Sequence, residues 1–128
     1  MTQPRIGIIG LGFMGRTHLA GYRAAGAKVV AVLDPLAGAG PVGGNLSTGA
    51  DAVDLSGIEV FREAGAFFER AGVDAVSICT PTDTHVEMAE RALARGWDVL
   101  LEKPVALAAA DVRRVQAAAE KAGRVCMP

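Results

Sequence analysis

Residues 10–15 read Gly10, Leu11, Gly12, Phe13, Met14, Gly15, a GxGxxG run that follows a short apolar stretch. Three glycines at this spacing suit an anion held on backbone amides. Gly10 permits a tight turn, Gly12 lets the chain approach a pyrophosphate, and Gly15 lets the following helix pack closely so that its N-terminus faces the charge. Asp34 ends the next apolar stretch, nineteen residues after Gly15. A carboxylate there accepts hydrogen bonds from both adenine-ribose hydroxyls of NAD and repels a 2′-phosphate, so NAD is expected over NADP. The competing reading of the glycines is a strand-to-helix turn that binds nothing, and that of Asp34 a turn or helix cap. Two further segments, Thr80-Pro81-Thr82-Asp83-Thr84-His85 and Glu102-Lys103-Pro104, follow apolar runs. Lys103 could hold a substrate hydroxyl and stabilise a developing alkoxide, although a lysine in such a place is more often a solvated charge.

These residues need strands and helices to present them. Arg5 to Ile9 and Lys28 to Leu33 read as buried strands. Between them Met14, His18, Gly21, Tyr22 and Ala25 recur as one helical stripe, and Gly26 stands at the left-handed C-terminal position. From Pro35 to Gly57 scattered glycines and no apolar period predict a long loop with at most a fragment of helix. A third strand over Ile58–Phe61 and a helix near Glu63–Ala71 follow. Strands over Val73–Cys79, Trp97–Leu101 and from Arg124 onward alternate with helices over Thr84–Arg95 and Ala109–Ala122. Thr84 and Glu87 have capping-box spacing, Gly96 and Gly123 stop the two helices, and Val112, Val115, Ala119 and Ala122 form an inward stripe. About six strands with intervening helices predict an α/β doubly wound parallel sheet, the Rossmann fold, with helices on both faces. Ligands of such sheets bind at the carboxyl ends of the strands, where the three segments lie.

The remaining residues suggest structure more than chemistry. His18 shares its stripe with Met14 and Tyr22 and reads as a packed histidine. Cys79 and Cys126 lack CxxC or zinc spacing and read as buried small hydrophobes. Phe67, Phe68 and Trp97 are candidates for core or interface. The chain has 128 residues, 51% hydrophobic and 21% charged, which suits one compact domain. Its net charge of −1 and lack of a basic run argue against nucleic acid. No stretch approaches the ~20 apolar residues of a membrane span, and no signal-peptide core stands at the start, so a cytoplasmic protein is expected.

The combination GLGFMG, CTPTDTH and LLEKP resembles the glucose-fructose oxidoreductase, inositol dehydrogenase and MocA family of NAD(P)-dependent oxidoreductases over essentially the whole chain. The resemblance implies that Lys103 is catalytic, with Glu102 and Pro104 shaping its loop. It places Thr80 and Pro81 along the cofactor, with Thr82 in the same turn, beside Gly10, Gly12, Phe13, Met14, Gly15 and Asp34, with Glu102 and Lys103 at the nicotinamide end and no metal; His85, at a helix start, reads equally as a cofactor contact or as a simply exposed residue. The implied reaction is hydride transfer between the nicotinamide and a carbon of a sugar, inositol or related polyol. Members of the family continue into a second α/β domain with the substrate pocket. Residues 1–128 are therefore expected to be the cofactor domain, inactive alone and prone to self-association through uncovered surface. A freestanding dinucleotide or coenzyme A sensor is the alternative, and a methyltransferase explains neither the lysine nor the threonine-proline turn.

Overall fold

The computed structural model describes residues 2–37 and 53–128. The expectation of an irregular loop over Pro35–Gly57 falls mostly on residues 38–52, outside the described ones. Among the described residues six strands form one parallel sheet: β1 (Arg5–Ile9), β2 (Lys28–Leu33), β3 (Glu59–Phe61), β4 (Ala75–Ile78), β5 (Asp98–Leu101) and β6 (Cys126–Met127), in the order β3-β2-β1-β4-β5-β6. The order reverses between β1 and β4, which opens a crevice at their carboxyl ends. Helices α1 (Phe13–Ala24), α2 (Ala64–Arg70), α3 (His85–Ala94) and α4 (Ala109–Ala122) make the connections.

Right-handed crossovers put α1 on one face of the sheet and α2, α3 and α4 on the other, because the chain turns back after β3. The second face holds the larger core, where Phe67 makes edge-to-face contacts with Phe61, Phe68 and Trp97. Phe67 is fully buried, and emptying its site would cost roughly 3–5 kcal/mol, a large part of a domain's net stability. The first face packs Ile8 and Val32 beneath Leu19 of α1. One row of paired residues crosses this face: Val32, Ile8, Ser77, Leu100 and Met127. The first three are fully buried under α1, Leu100 is half-buried, and Met127 is 57% exposed. Among the described residues, cover thus ends midway across the sheet.

Three expectations need correction. The buried residues of α1 are Gly15 and Leu19, with Met14 and Ala25 exposed. The helix therefore meets the sheet along a line one residue away from the expected stripe, because Gly15 is the point of closest approach. The capping box is not formed. Pro81 opens a 3-10 turn over Thr82–Thr84 that leaves Thr84 at φ −96°, ψ −9°, whereas a capping hydroxyl needs extended backbone. Its hydroxyl faces the Pro81 carbonyl at 2.6 Å and the Thr80 hydroxyl at 2.7 Å, and Glu87 pairs with Arg91 instead. Val112 is exposed, since only the Val115 side of α4 reaches the core. Gly26, Gly96 and Gly123 have φ of +71°, +78° and +63°, as their helix-ending positions require.

Candidate dinucleotide site

The turn from β1 into α1 is built by close backbone approach. Gly10 has φ +91°, and a Cβ there would lie 2.9 Å from the Cys79 carbonyl carbon on the neighbouring strand end. A Cβ on Gly15 would stand 1.9 Å from the Gly10 carbonyl oxygen, so only glycine lets α1 start so near the strand. Gly12 differs. A Cβ on it would meet nothing within 4 Å, which leaves open space in front of the helix. Gly12 is the N-cap residue without a side-chain cap, and the first turn holds no acid. The amides of Phe13, Met14 and Gly15 lack intrahelical acceptors, as in any first turn, and the partial positive charge there suits an anion. This cradle fits a pyrophosphate.

In front of the turn lies a cleft of about 420 Å³, within the roughly 300–1,000 Å³ of small-molecule sites. Gly10 and Gly12 line its floor, Asp34, Pro35, Leu36 and Arg62 one end, and Thr80, Pro81 and Thr84 the other. Asp34 Oδ2 accepts the Leu11 amide at 2.7 Å and Oδ1 the Leu36 amide at 2.8 Å. The carboxylate thus braces the glycine turn, and each oxygen keeps acceptor capacity for a ligand hydroxyl. The capping and ligand readings of Asp34 are compatible. Leu33 pairs with Phe61, so Asp34 and Arg62 leave neighbouring strand ends side by side. Arg62 donates to the Ala37 carbonyl at 3.1 Å. It supplies a positive group at the end where residues 35–40 of the sequence offer none, and no local pattern pointed to it.

Among the other expected site residues, Phe13 and Met14 are exposed at the helix start, Gly15 is buried beneath the turn, and Thr82 is half-buried in the 3-10 turn. Glu102 follows β5, where its amide donates to the Ile78 carbonyl at 3.0 Å. Lys103 is exposed beyond it, outside the cleft wall, and the Lys103–Pro104 bond is cis. The expected cofactor contact of His85 is corrected: the residue is 1% exposed. Its Nδ1 lies 2.9 Å from the Pro104 carbonyl and its Nε2 2.8 Å from the Thr80 carbonyl, so the ring sits between two loops from below, donating to one carbonyl when neutral and to both only when it carries two protons. Cys79 is half-buried, and burial, with the Glu102 charge, pushes its thiol up to about 12. That removes thiolate chemistry at neutral pH, in keeping with its reading as an inert small side chain.

Residues 4–128 match the family described as oxidoreductase family, NAD-binding Rossmann fold. The chain belongs to this family. It is 34% identical over 124 residues to the rhizopine catabolism protein MocA of Rhizobium meliloti, covering 94% of this chain and 35% of that protein. It is 38% identical over 127 residues to inositol 2-dehydrogenase 1 of Saccharopolyspora erythraea, covering 94% of this chain and 34% of the enzyme. A solved structure of a putative myo-inositol dehydrogenase from Sinorhizobium meliloti superposes with a TM-score of 0.76 at 33% identity, over 98% of this chain and 35% of that one. The WlbA dehydrogenase of Thermus thermophilus, solved with NAD and UDP-GlcNAcA, superposes with a TM-score of 0.77 at 29% identity, over 97% of this chain and 40% of that one. The chain spans about a third of the length of the curated relatives it matches. Its sheet order, glycine turn and cleft are those of an NAD-binding oxidoreductase domain, and NAD is the cofactor of the family. Among the described residues no helix is long and apolar enough to cross a membrane.

Proposed function

We propose that these residues hold NAD for a cytoplasmic dehydrogenase that moves hydride between the nicotinamide and a hydroxyl-bearing carbon of a sugar, inositol or related polyol. The observation that carries the reading is the uncapped, acid-free start of α1 behind Gly12, which opens onto a cleft bordered by Asp34. NAD, when bound, supplies the hydride acceptor. The amides at the start of α1 hold its pyrophosphate, Asp34 takes the adenine-ribose hydroxyls, and Thr80, Pro81 and Thr82 line the path toward the nicotinamide. Lys103 donates a hydrogen bond to the substrate oxygen and stabilises the alkoxide formed when the hydroxyl gives up its proton, which becomes the carbonyl oxygen as hydride passes to the nicotinamide. The substrate class follows from relatives named inositol 2-dehydrogenase and MocA.

Hydride transfer from an alcohol also needs a proton acceptor, an orienting pocket and exclusion of water. Lys103, exposed after β5, supplies one polar contact. The 128 residues by themselves are therefore expected to bind NAD and to turn nothing over. Calorimetry with NAD and NADP, followed by a panel of sugars and polyols with absorbance at the reduced-nicotinamide band, tests both statements. NAD should bind more tightly than NADP, and Asp34→Ala should narrow the gap. Tighter binding of NADP overturns the adenine-end assignment. Steady turnover that is lost in Lys103→Ala would show that the site is complete within these residues.

A further inference from the structure

Ser77 is a hydroxyl in the middle of an apolar strand, 0% exposed, on the face that α1 covers. Left unpaired it would cost about 1–3 kcal/mol. It has two partners, both from α1: the Tyr22 hydroxyl at 2.6 Å and His18 Nδ1 at 3.1 Å. His18 Nε2 lies 2.8 Å from Glu102 Oε1, and Glu102 Oε2 accepts the Lys103 amide at 3.2 Å. The order of donors follows from the chemistry of the groups. A carboxylate accepts, so His18 Nε2–H donates to Glu102; with the ring neutral, Nδ1 accepts from the Ser77 hydroxyl, which in turn accepts from Tyr22. Every group in the chain is satisfied.

The same turn is held from the opposite face of the sheet. His85, at the start of α3, has Nδ1 within 2.9 Å of the Pro104 carbonyl. Lys103 therefore sits between a residue anchored by His18 and a residue anchored by His85, while its own side chain is exposed. The β5 ladder ends at Glu102, whose amide still bonds to Ile78, and beyond that point these side chains take over.

We propose that His18 is a positioning residue for Lys103, holding the Glu102 carboxylate so that the lysine's backbone is set relative to α1, the helix whose N-terminus faces the pyrophosphate. His85 completes the clasp from below. The relevance to hydride transfer rests on the role proposed above for Lys103, whereas the clasp is measurable without cofactor. His18→Gln retains a donor near the Nε2 position, and His18→Asn retains only the contact near Nδ1, so two polar variants of similar burial separate the Glu102 contact from general packing.

The test is heteronuclear NMR of the 128-residue chain. In His18→Asn the Lys103 amide should exchange about fivefold or more faster, with Ile8 and Val76 amides in the sheet centre unchanged, and His18→Gln should restore most of the protection. Saturating NAD should move the Lys103 Cε resonance in the wild type, and in His18→Asn that shift should shrink while calorimetric affinity stays within about threefold. An unchanged Lys103 amide in His18→Asn overturns the proposal. So does parallel acceleration of all amides, which would make His18 a packing residue only. If His18→Asn does not fold, Glu102→Ala decides: it removes both oxygens that could accept the Lys103 amide, and unchanged exchange there overturns the clasp. Failure of NAD to bind the wild type would overturn the proposed function and leave the exchange result standing.

Discussion

Gly12 and Cys79 show how little of a residue's role lies in its type alone. Gly12 has φ −75° and ψ −160°, backbone that any residue adopts, and nothing in the protein stands where its side chain would be. On the proposed function, its smallness leaves room for the pyrophosphate. Gly12→Val should therefore keep the melting temperature of the wild type and weaken NAD binding about tenfold or more, because the added methyls fill the pyrophosphate's place. Wild-type affinity by calorimetry would remove the phosphate from this turn. Cys79 presents the opposite case, a reactive type made inert. With its thiol pushed up to about 12 from 9.0, the thiolate fraction at pH 8 falls about a thousandfold, and iodoacetamide labelling followed by peptide mass analysis should be slowed by a similar factor until the protein is unfolded. The folded state holds this proton more tightly than the unfolded chain. The corresponding stability is present in full below pH 9.0 and is lost as pH rises toward about 12, so urea midpoints should fall across that window.

At the scale of elements, α1 does three things at once, and its sequence satisfies all of them. Gly15 brings its first turn against the strand, Leu19 packs over Ile8 and Val32, and His18 and Tyr22, one turn apart, reach the buried Ser77. The first contact is unforgiving. With a Cβ 1.9 Å from the Gly10 oxygen, Gly15→Ala must push helix and strand apart, which should cost at least about 1–3 kcal/mol in denaturant unfolding and also weaken NAD binding. Gly12→Val should affect binding alone, so the pair separates a glycine kept for packing from one kept for the ligand. Equal stability of Gly15→Ala and the wild type would show that α1 does not start where the structure puts it.

For the whole molecule, the uneven cover of the sheet has a direct consequence. Leu100 pairs with Met127 on the α1 face, but α1 reaches only as far as Ser77 and part of Leu100. Val125 and Met127 are more than half exposed, and among the described residues β6 has no neighbour on its outer edge. Apolar surface beside an unpaired strand edge favours association. Sedimentation velocity over a range of concentrations should show a species larger than the monomer, and Met127→Asp should shift the distribution back toward the monomer. A monomer at every concentration would mean that this surface is too small to associate.

The alternation of strands and helices, the glycine turn, the helix-ending glycines and the place of Asp34 were legible in the chain because each is written within a few residues, as an apolar period or a requirement for positive φ. The register of α1 and the failed capping box were not, since the closeness allowed by Gly15 and the 3-10 turn imposed by Pro81 override local spacing. Arg62 beside Asp34, the His85 ring between two carbonyls, and the path from Tyr22 through Ser77 and His18 to Glu102 were decided by tertiary structure alone. His18 meets Ser77 and Glu102 across 59 and 84 residues of chain. A hydrogen bond leaves no period in the sequence. At most, a lone serine in an apolar strand and a histidine one helical turn before a tyrosine mark where such a contact can form, and only the folding of β1, β4 and β5 into adjacent places brings the partners to it.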